Sequence, residues 1–152
     1  MAELDITLIK KLRDETGYGV MDVKQAFQDA DGDMKKAKEL LDAKSAMVVE
    51  KKSGRETKSG LVETYTHLGK IGAMVEVNSE TDFVARNDDF KQFVHDLALQ
   101  IASMNPVDVD ELMAQPFFKN ESMTIKELHQ QLVGRIGENI IIKRFSRYEL
   151  GE

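Results

Sequence analysis

The amino-acid sequence predicts an α+β protein: an N-terminal module of three helices, a linker, and a core in which a three-stranded antiparallel sheet carries helices on one face. Three observations lead to this prediction. Apolar residues recur at helical spacing over residues 1–44 and at alternate positions just after Gly60. The alternating stretch after Gly60 predicts two strands, and a segment predicted to contain helices separates them from a third strand over 139–148. We therefore place the module at 1–44, the linker at 45–59 and the core at 60–152.

The N-terminal module contains three short amphipathic helices. Asp5 is placed to cap the first helix, and Gly17 follows its end. Its apolar face comprises Leu8, Ile9 and Leu12. The second helix has an apolar stripe at i, i+3, i+4 and i+7, formed by Val23, Ala26, Phe27 and Ala30. Gly32 ends this helix and Asp33 caps the third, whose inner face comprises Ala37, Leu40 and Leu41.

The predicted linker is charged and poor in large apolar residues. Its first half is compatible with a helix. Eight basic and four acidic side chains lie between Lys35 and Lys58, which makes this stretch basic in an acidic chain. One interpretation is a solvated helix face followed by a linker. The other is a basic contact for an acidic surface, either RNA or protein, although nucleic-acid binding is less favoured because no aromatic residues are interleaved.

The core begins with a predicted β-hairpin. Residues 61–67 and 71–77 alternate between apolar and polar, and residues 68–70 form the turn. Asn87 then caps a long helix that stops at 105–106, an Asn-Pro pair, and its apolar face comprises Phe90, Phe93, Val94, Leu97 and Ile101. Asp108 caps a short helix. Thr124 and Glu127 form a capping box for a last helix, which places Ile125, Leu128 and Leu132 inward and ends at Gly137.

Composition and motifs exclude several functional classes. The 152 residues include no cysteine, which removes disulfides, thiolate metal sites and cysteine nucleophiles. The net charge of −6 disfavours direct binding of nucleic acid, and no apolar run is long enough for a membrane helix. No secretory signal is visible at the N-terminus, so a cytoplasmic location is expected.

Enzymatic chemistry is also not expected. The three histidines, His67, His95 and His129, are far apart in sequence, and no nucleotide-binding, hydrolase or metalloprotease motif occurs. Nothing assembles a nucleophile, a base and an orienting group. We therefore expect no catalytic residue, no metal and no cofactor.

In two segments, large apolar residues stand next to polar residues or glycines and do not follow a helix or strand pattern. In residues 78–86, Thr81 or Asp82 caps a short helical turn, and Phe83 either folds back onto the core or points outward with Asp82 as a wedge for a partner. In residues 17–22, glycines flank Tyr18, and Met21 either fills the small core or belongs to a docking tip.

Both segments carry a resemblance to the elongation factor Ts family, whose members are nucleotide exchange factors of elongation factor Tu. The matching blocks are KLRDETGYGVMDVK at 11–24, GD at 32–33, GKIGAMVEVN at 69–78, ETDFVAR at 80–86 and IGENI at 136–140. They stand in the family's order and cover most of the chain, and the block around 81–84 is the most specific.

The resemblance implies a UBA-like three-helix module before the α+β core, and it implies the partner and the contact residues. Elongation factor Tu, GDP-bound or nucleotide-free, is the implied partner. Asp82 and Phe83, flanked by Thr81 and Val84, match the segment that the family inserts beside the magnesium and phosphate region of the GTPase. The positions implied to hold the G domain are Lys10, Arg13, Val20 and Met21.

The resemblance is incomplete in two respects. Longer family members have a second core half and a coiled-coil insertion, and short members compensate by homodimerising, which implies a dimer here. Tyr18 and Val20 also replace the small residue and the methionine that are more usual in the family. Two other functions stay open: a non-catalytic binding module with a UBA-like domain, and a degenerate protein that binds elongation factor Tu without releasing its nucleotide.

Overall fold

The computed structural model describes residues 5–152. In chain order, its elements are α1 (Ile6–Thr16), α2 (Val20–Asp29), α3 (Met34–Lys52), β1 (Ser59–His67), β2 (Ile71–Ser79), α4 (Asp82–Ala85), α5 (Asp88–Met104), α6 (Val109–Ala114), β3 (Pro116–Phe117), β4 (Asn120–Thr124), α7 (Ile125–Ile136) and β5 (Ile140–Glu149). This arrangement confirms the predicted α+β class, with a helical region before a three-stranded antiparallel sheet and its helices.

Local capping explains where the first three helices begin and end. The Asp5 carboxylate accepts hydrogen bonds from the amides of Thr7 and Leu8, at 2.9 and 3.3 Å. Gly17 ends α1 in the left-handed conformation with φ 73°, which glycine adopts without steric cost. Asp33 accepts from the amide of Lys36 and starts α3. The small core that these helices enclose comprises Leu12, Tyr18, Val23, Ala26, Ala30, Ala37 and Leu41.

One residue of the predicted inner face of α3 lies outside. Leu40 is exposed, so its assignment to the core of the module was wrong. The buried residues of α3 are Ala37, Leu41 and Ser45, which repeat every four residues. Because successive residues of a helix are turned by about 100°, this narrow buried stripe leaves Leu40, which precedes Leu41, facing solvent.

Helix α3 also continues well beyond the predicted module. It runs to Lys52, so the first half of the 45–59 stretch is helical, as the sequence allowed. Val48 and Val49 pack against the larger core. The same helix therefore contributes to both hydrophobic clusters, and the division into units at 44 and 59 stays a prediction.

The main sheet has β2 at its centre, between β1 and β5, and both pairings are antiparallel. Ala73, Val75 and Val77 of β2 are buried on its inner face. The register of β5 against β2 shifts between Glu76 and Val77, and Ile142 and Phe145 both lie on the inner side although they are three residues apart. This β-bulge explains why β5 lacks a strict period of two.

Helices cover the inner face of this sheet. Phe90, Leu97 and Ile101 of α5 and Ile125 and Leu132 of α7 are buried in one continuous core, as predicted. The Asn87 side chain caps α5 by accepting from the amides of two residues, Asp89 and Phe90, and Asn105 ends the helix in the left-handed conformation. The exposed large apolar side chains on the outer face of the sheet include Val62, Met74 and Tyr148.

The short hairpin of β3 and β4 was not predicted. A buried glutamine of α5, Gln100, holds it: Nε2 donates to the backbone oxygen of Pro116 at 3.0 Å, and Oε1 accepts from the amide of Phe118 at 2.9 Å. A two-residue strand has no measurable period, so the sequence pattern does not predict it.

None of the helices in the part of the chain described here is both long enough and apolar enough to cross a membrane.

Candidate partner-binding site

An exposed aromatic ring stands at the junction between β2 and α4. We call residues Thr81, Asp82 and Phe83 the tip. Ser79, the last residue of β2, is completely buried, and its hydroxyl donates to the backbone oxygen of Thr81 at 3.0 Å. Thr81 then caps α4, because its Oγ1 accepts from the amide of Val84 at 3.4 Å. The Phe83 side chain is 86% exposed, and the Asp82 carboxylate beside it also faces solvent.

The structure separates the two interpretations of this segment. The predicted helical turn capped by Thr81 is present, but the folding of Phe83 onto the core was wrong. In this single turn, Val84 and Ala85 point inward and are only 8% and 5% exposed. They fill the space behind the turn, so the preceding residue is directed away from the core. The wedge geometry, with Asp82 and Phe83 outward, is the one observed.

A carboxylate from the loop between α7 and β5 holds the tip. Glu138 accepts two hydrogen bonds from Thr81, from the amide to Oε1 at 3.1 Å and from the hydroxyl to Oε2 at 2.8 Å. We call this pair of bonds the clamp. Bonds to a charged acceptor are stronger than those between neutral groups. The tip is therefore fixed at its base while its aromatic end is free.

A second carboxylate makes the reciprocal contact next to the clamp. Glu80 Oε1 accepts from the amide of Asn139 at 2.8 Å, and Arg55 lies 3.7 Å from the other oxygen of Glu80. The side-chain amide of Asn139 is buried and donates to the backbone oxygens of Ser53 and Arg55, at 3.5 and 2.8 Å. These bonds tie the segment after α3 to the base of the tip.

The second candidate segment lies between α1 and α2. Tyr18 is buried, and its hydroxyl accepts a hydrogen bond from Ser45 at 2.5 Å. Burial raises the pKa of the Tyr18 phenol, so the hydroxyl stays protonated at neutral pH. Met21, in contrast, is 74% exposed, and its placement in the small core was wrong. The turn therefore has an inward aromatic anchor and an outward methionine.

The four predicted docking residues are all exposed. Lys10 and Arg13 lie one turn apart on α1, and Val20 and Met21 open α2. The structure does not place Val84 among the contact groups, because its side chain is sealed in the protein's own core. Of the tip residues, Asp82 and Phe83 are available to a partner and Thr81 faces Glu138.

Sequence reasoning missed Glu138 and Asn139 as parts of this site. The block at 136–140 contributes to the family resemblance, and the last predicted strand begins at 139, without a role for Glu138. A local signal exists, since two polar residues directly follow the glycine that ends a helix. It does not identify their partners, which lie 57 and 59 residues away. The site as a whole offers an aromatic ring and a carboxylate for contact, and residues 5–152 contain no cluster of three or more acidic or histidine side chains placed for a metal ion.

Comparison with known proteins identifies the family. The family model described as Elongation factor TS matches residues 80–152. The chain is 37% identical to elongation factor Ts of Finegoldia magna, over all of this chain and 92% of that protein. It is 41% identical to the protein of the same name from Alkaliphilus oremlandii, over 98% of this chain and 91% of the relative. For the protein from Thermotoga maritima, the identity is 37%, over 99% and 98% of the two chains.

These relatives are longer inside the aligned region. The alignment with the Finegoldia magna protein spans 205 positions, and about 50 of them have no counterpart in the 152 residues of this chain. The similarity nevertheless extends over nearly the whole of each protein, and it includes the segment that presents the exposed ring. The chain belongs to the elongation factor Ts family.

Proposed function

We propose that this chain is the guanine nucleotide exchange factor for elongation factor Tu in translation elongation, acting in the cytoplasm with the translation machinery. It promotes the release of GDP by inserting Asp82 and Phe83 beside the magnesium and phosphate site of the GTPase. Membership of the family supports the partner. The observation that carries the proposal is the outward ring of Phe83 on a turn whose base is anchored.

Exchange requires differential binding and no covalent chemistry. The factor must bind the nucleotide-free GTPase more tightly than the GDP complex, and by linkage it then weakens GDP binding by the same factor. A change of about 10⁴ corresponds to about 5.5 kcal/mol of differential contact. Burying one phenylalanine ring supplies about 1.5–3 kcal/mol. Phe83 therefore supplies part of the effect, and displacement of the magnesium coordination by the carboxylate of Asp82 supplies a further part.

The N-terminal module supplies binding at a second place. Lys10, Arg13, Val20 and Met21 contact the G domain and hold the partner while the tip acts. Their exposure supports this role. Contacts that are equal in the GDP-bound and nucleotide-free states add affinity and no exchange, so the module and the tip contribute to different kinetic quantities.

A homodimer is the proposed assembly. The outer face of the sheet carries Val62, Met74 and Tyr148 in exposed positions beside the Glu76–Arg144 ion pair, and exposed apolar side chains bordered by polar groups are typical of an interface. Two copies of the sheet stacked face to face would bury these residues. Sedimentation velocity tests this assembly: a dimer has twice the mass of the 17.2 kDa chain.

Replacement of Phe83 by alanine tests the exchange mechanism. Because the ring contacts solvent, Phe83→Ala is expected to keep the fold and much of the binding to elongation factor Tu. The saturating rate of GDP release, measured by stopped flow with a fluorescent GDP, should fall about tenfold to hundredfold.

A matched control uses another exposed apolar residue. Val107 is as exposed as Phe83 but lies between α5 and α6, so Val107→Ala should release GDP at the wild-type rate. An unchanged rate for Phe83→Ala would remove the ring from the mechanism. A wild-type chain that binds elongation factor Tu and leaves GDP in place would be a binding protein without exchange activity.

A further inference from the structure

The tip is oriented by a side chain that lies 57 residues further along the sequence. We infer that Glu138 is a positioning residue for nucleotide exchange, acting through Thr81 on the direction of Asp82 and Phe83. This inference rests on the proposed function, since it concerns how the tip is aimed at the partner. Glu138 itself makes no contact with the GTPase in this mechanism.

The tip needs an external support because α4 is only four residues long. A single helical turn is not stable by itself in water. Burial of Val84 and Ala85 attaches its inner side to the core, but hydrophobic contact is not directional. The clamp adds direction, because an amide and a hydroxyl of one residue meet the two oxygens of one carboxylate.

The position of Glu138 is itself fixed by its neighbours. Gly137 ends α7 in the left-handed conformation, with φ 80°, and turns the chain so that Glu138 leaves the helix axis. Asn139 is 5% exposed and bound on both sides, by Glu80 at its backbone amide and by the backbone oxygen of Arg55 at its side chain. The carboxylate is thus presented from an anchored loop between α7 and β5.

Two substitutions at position 138 separate the effect of side-chain length from the effect of charge. Glutamine keeps the length of the side chain: its oxygen accepts from the Thr81 amide, and its NH₂ group donates to the Thr81 hydroxyl oxygen. Aspartate keeps the charge but is one methylene shorter and does not span both groups. A positioning role therefore favours Glu138→Gln over Glu138→Asp, whereas a direct ionic contact with the partner favours the reverse order.

The kinetic experiment measures GDP release from elongation factor Tu at several concentrations of each variant. Glu138→Ala and Glu138→Asp should lower the saturating rate about tenfold, with the half-saturating concentration changed less than about twofold. Glu138→Gln should retain the rate within about threefold. Glu121→Ala, which removes an exposed carboxylate from β4, should match the wild type and controls for the change in net charge.

A second measurement reports on the clamp without the partner. Hydrogen exchange followed by NMR in the free chain should be faster in Glu138→Ala at the amides of Thr81 and Val84, and unchanged at Val94 in the middle of α5. Thr81→Val removes the hydroxyl and should lower the saturating rate similarly. The losses should be less than additive in the double variant, because both changes remove the bond between the Thr81 hydroxyl and Glu138, while each also removes one further bond, from the Thr81 amide or to the Val84 amide.

Failure of the inference and failure of the proposed function give different results. If Phe83→Ala is slow and Glu138→Ala exchanges at the wild-type rate, the clamp does not position the tip and the inference is wrong. If Glu138→Asp is active and Glu138→Gln is slow, the carboxylate acts by charge, which also overturns it. If Phe83→Ala itself exchanges normally, the proposed function fails first.

Discussion

His129 of α7 is buried, and its Nε2–H donates to the backbone oxygen of Ile140 at 2.6 Å. Burial lowers the pKa of the imidazole below its ordinary value of 6.5. Below about pH 6.5 the unfolded chain therefore binds this proton more readily than the folded chain. The free energy of unfolding should fall as the pH decreases from 7 to 5, by at most about 1.4 kcal/mol per pH unit for one proton.

Urea unfolding at a series of pH values measures this slope. His129→Gln keeps a donor for the Ile140 oxygen and has no proton to take up, so its stability should change less over the same range. His95→Gln makes the same substitution at an exposed position of α5 and is the matched control. Equal slopes for all three proteins would show that His129 does not contribute to the pH dependence.

Helices α3 and α7 approach closely at one point, where Gly134 faces Ser45. A Cβ atom at position 134 would lie 2.3 Å from Oγ of Ser45, whose hydroxyl is engaged with Tyr18. Gly134→Ala should therefore destabilise the chain by about 1–2 kcal/mol, because overpacking costs about 1–3 kcal/mol and outweighs the better helix propensity of alanine, about 1 kcal/mol.

The melting temperature and urea midpoint of Gly134→Ala test the packing of these two helices. Gly54 provides the control, since a Cβ there meets no atom within 4 Å. Gly54→Ala should change the stability by less than about 0.5 kcal/mol. A Gly134→Ala protein as stable as the wild type would mean that α3 and α7 separate at little cost, and that the two hydrophobic clusters are not held at a fixed spacing.

Element by element, the sequence predicted what short-range bonds decide. Asp5, Asn87 and Thr124 were each assigned as helix caps, and each side chain accepts from an amide two or three residues ahead. Leu40 was assigned wrongly for a different reason. Its spacing fits the apolar stripe of α3. Which part of that stripe is buried depends on where the neighbouring helices lie, and the spacing of residues within α3 does not show this.

At the scale of the molecule, the docking residues and the tip belong to one connected body. Helix α3 runs from the small cluster to the large one. Nη1 of Arg135 in α7 donates to the backbone oxygen of Thr16 at the end of α1, at 3.3 Å. The distance between the predicted docking residues and the tip is thereby set by the fold. Under the proposed function, a partner bound to the module would meet the tip at a defined position.

If the module binds the partner and the tip promotes GDP release, Arg13→Ala and Phe83→Ala should change different kinetic quantities. Arg13→Ala should raise the half-saturating concentration about threefold to tenfold and leave the saturating rate of GDP release unchanged, since exposed ionic contacts contribute to affinity in both nucleotide states. Stopped-flow titration of elongation factor Tu measures both quantities, and Lys126→Ala at an exposed position of α7 serves as a control for the lost charge. A reduced saturating rate for Arg13→Ala would contradict a docking role.

The α+β class, the caps, the order of the main elements and the family follow from local sequence, because helical spacing, strand alternation, capping bonds and motif blocks all involve residues close in the chain. The outward direction of Phe83 and the bonds between Glu138 and Thr81, 57 residues apart, became apparent only in the folded chain. The physical reason is that burial and long-range hydrogen bonds depend on which distant segments meet. Whether an apolar side chain enters a core or faces a partner is decided by the space its neighbours leave.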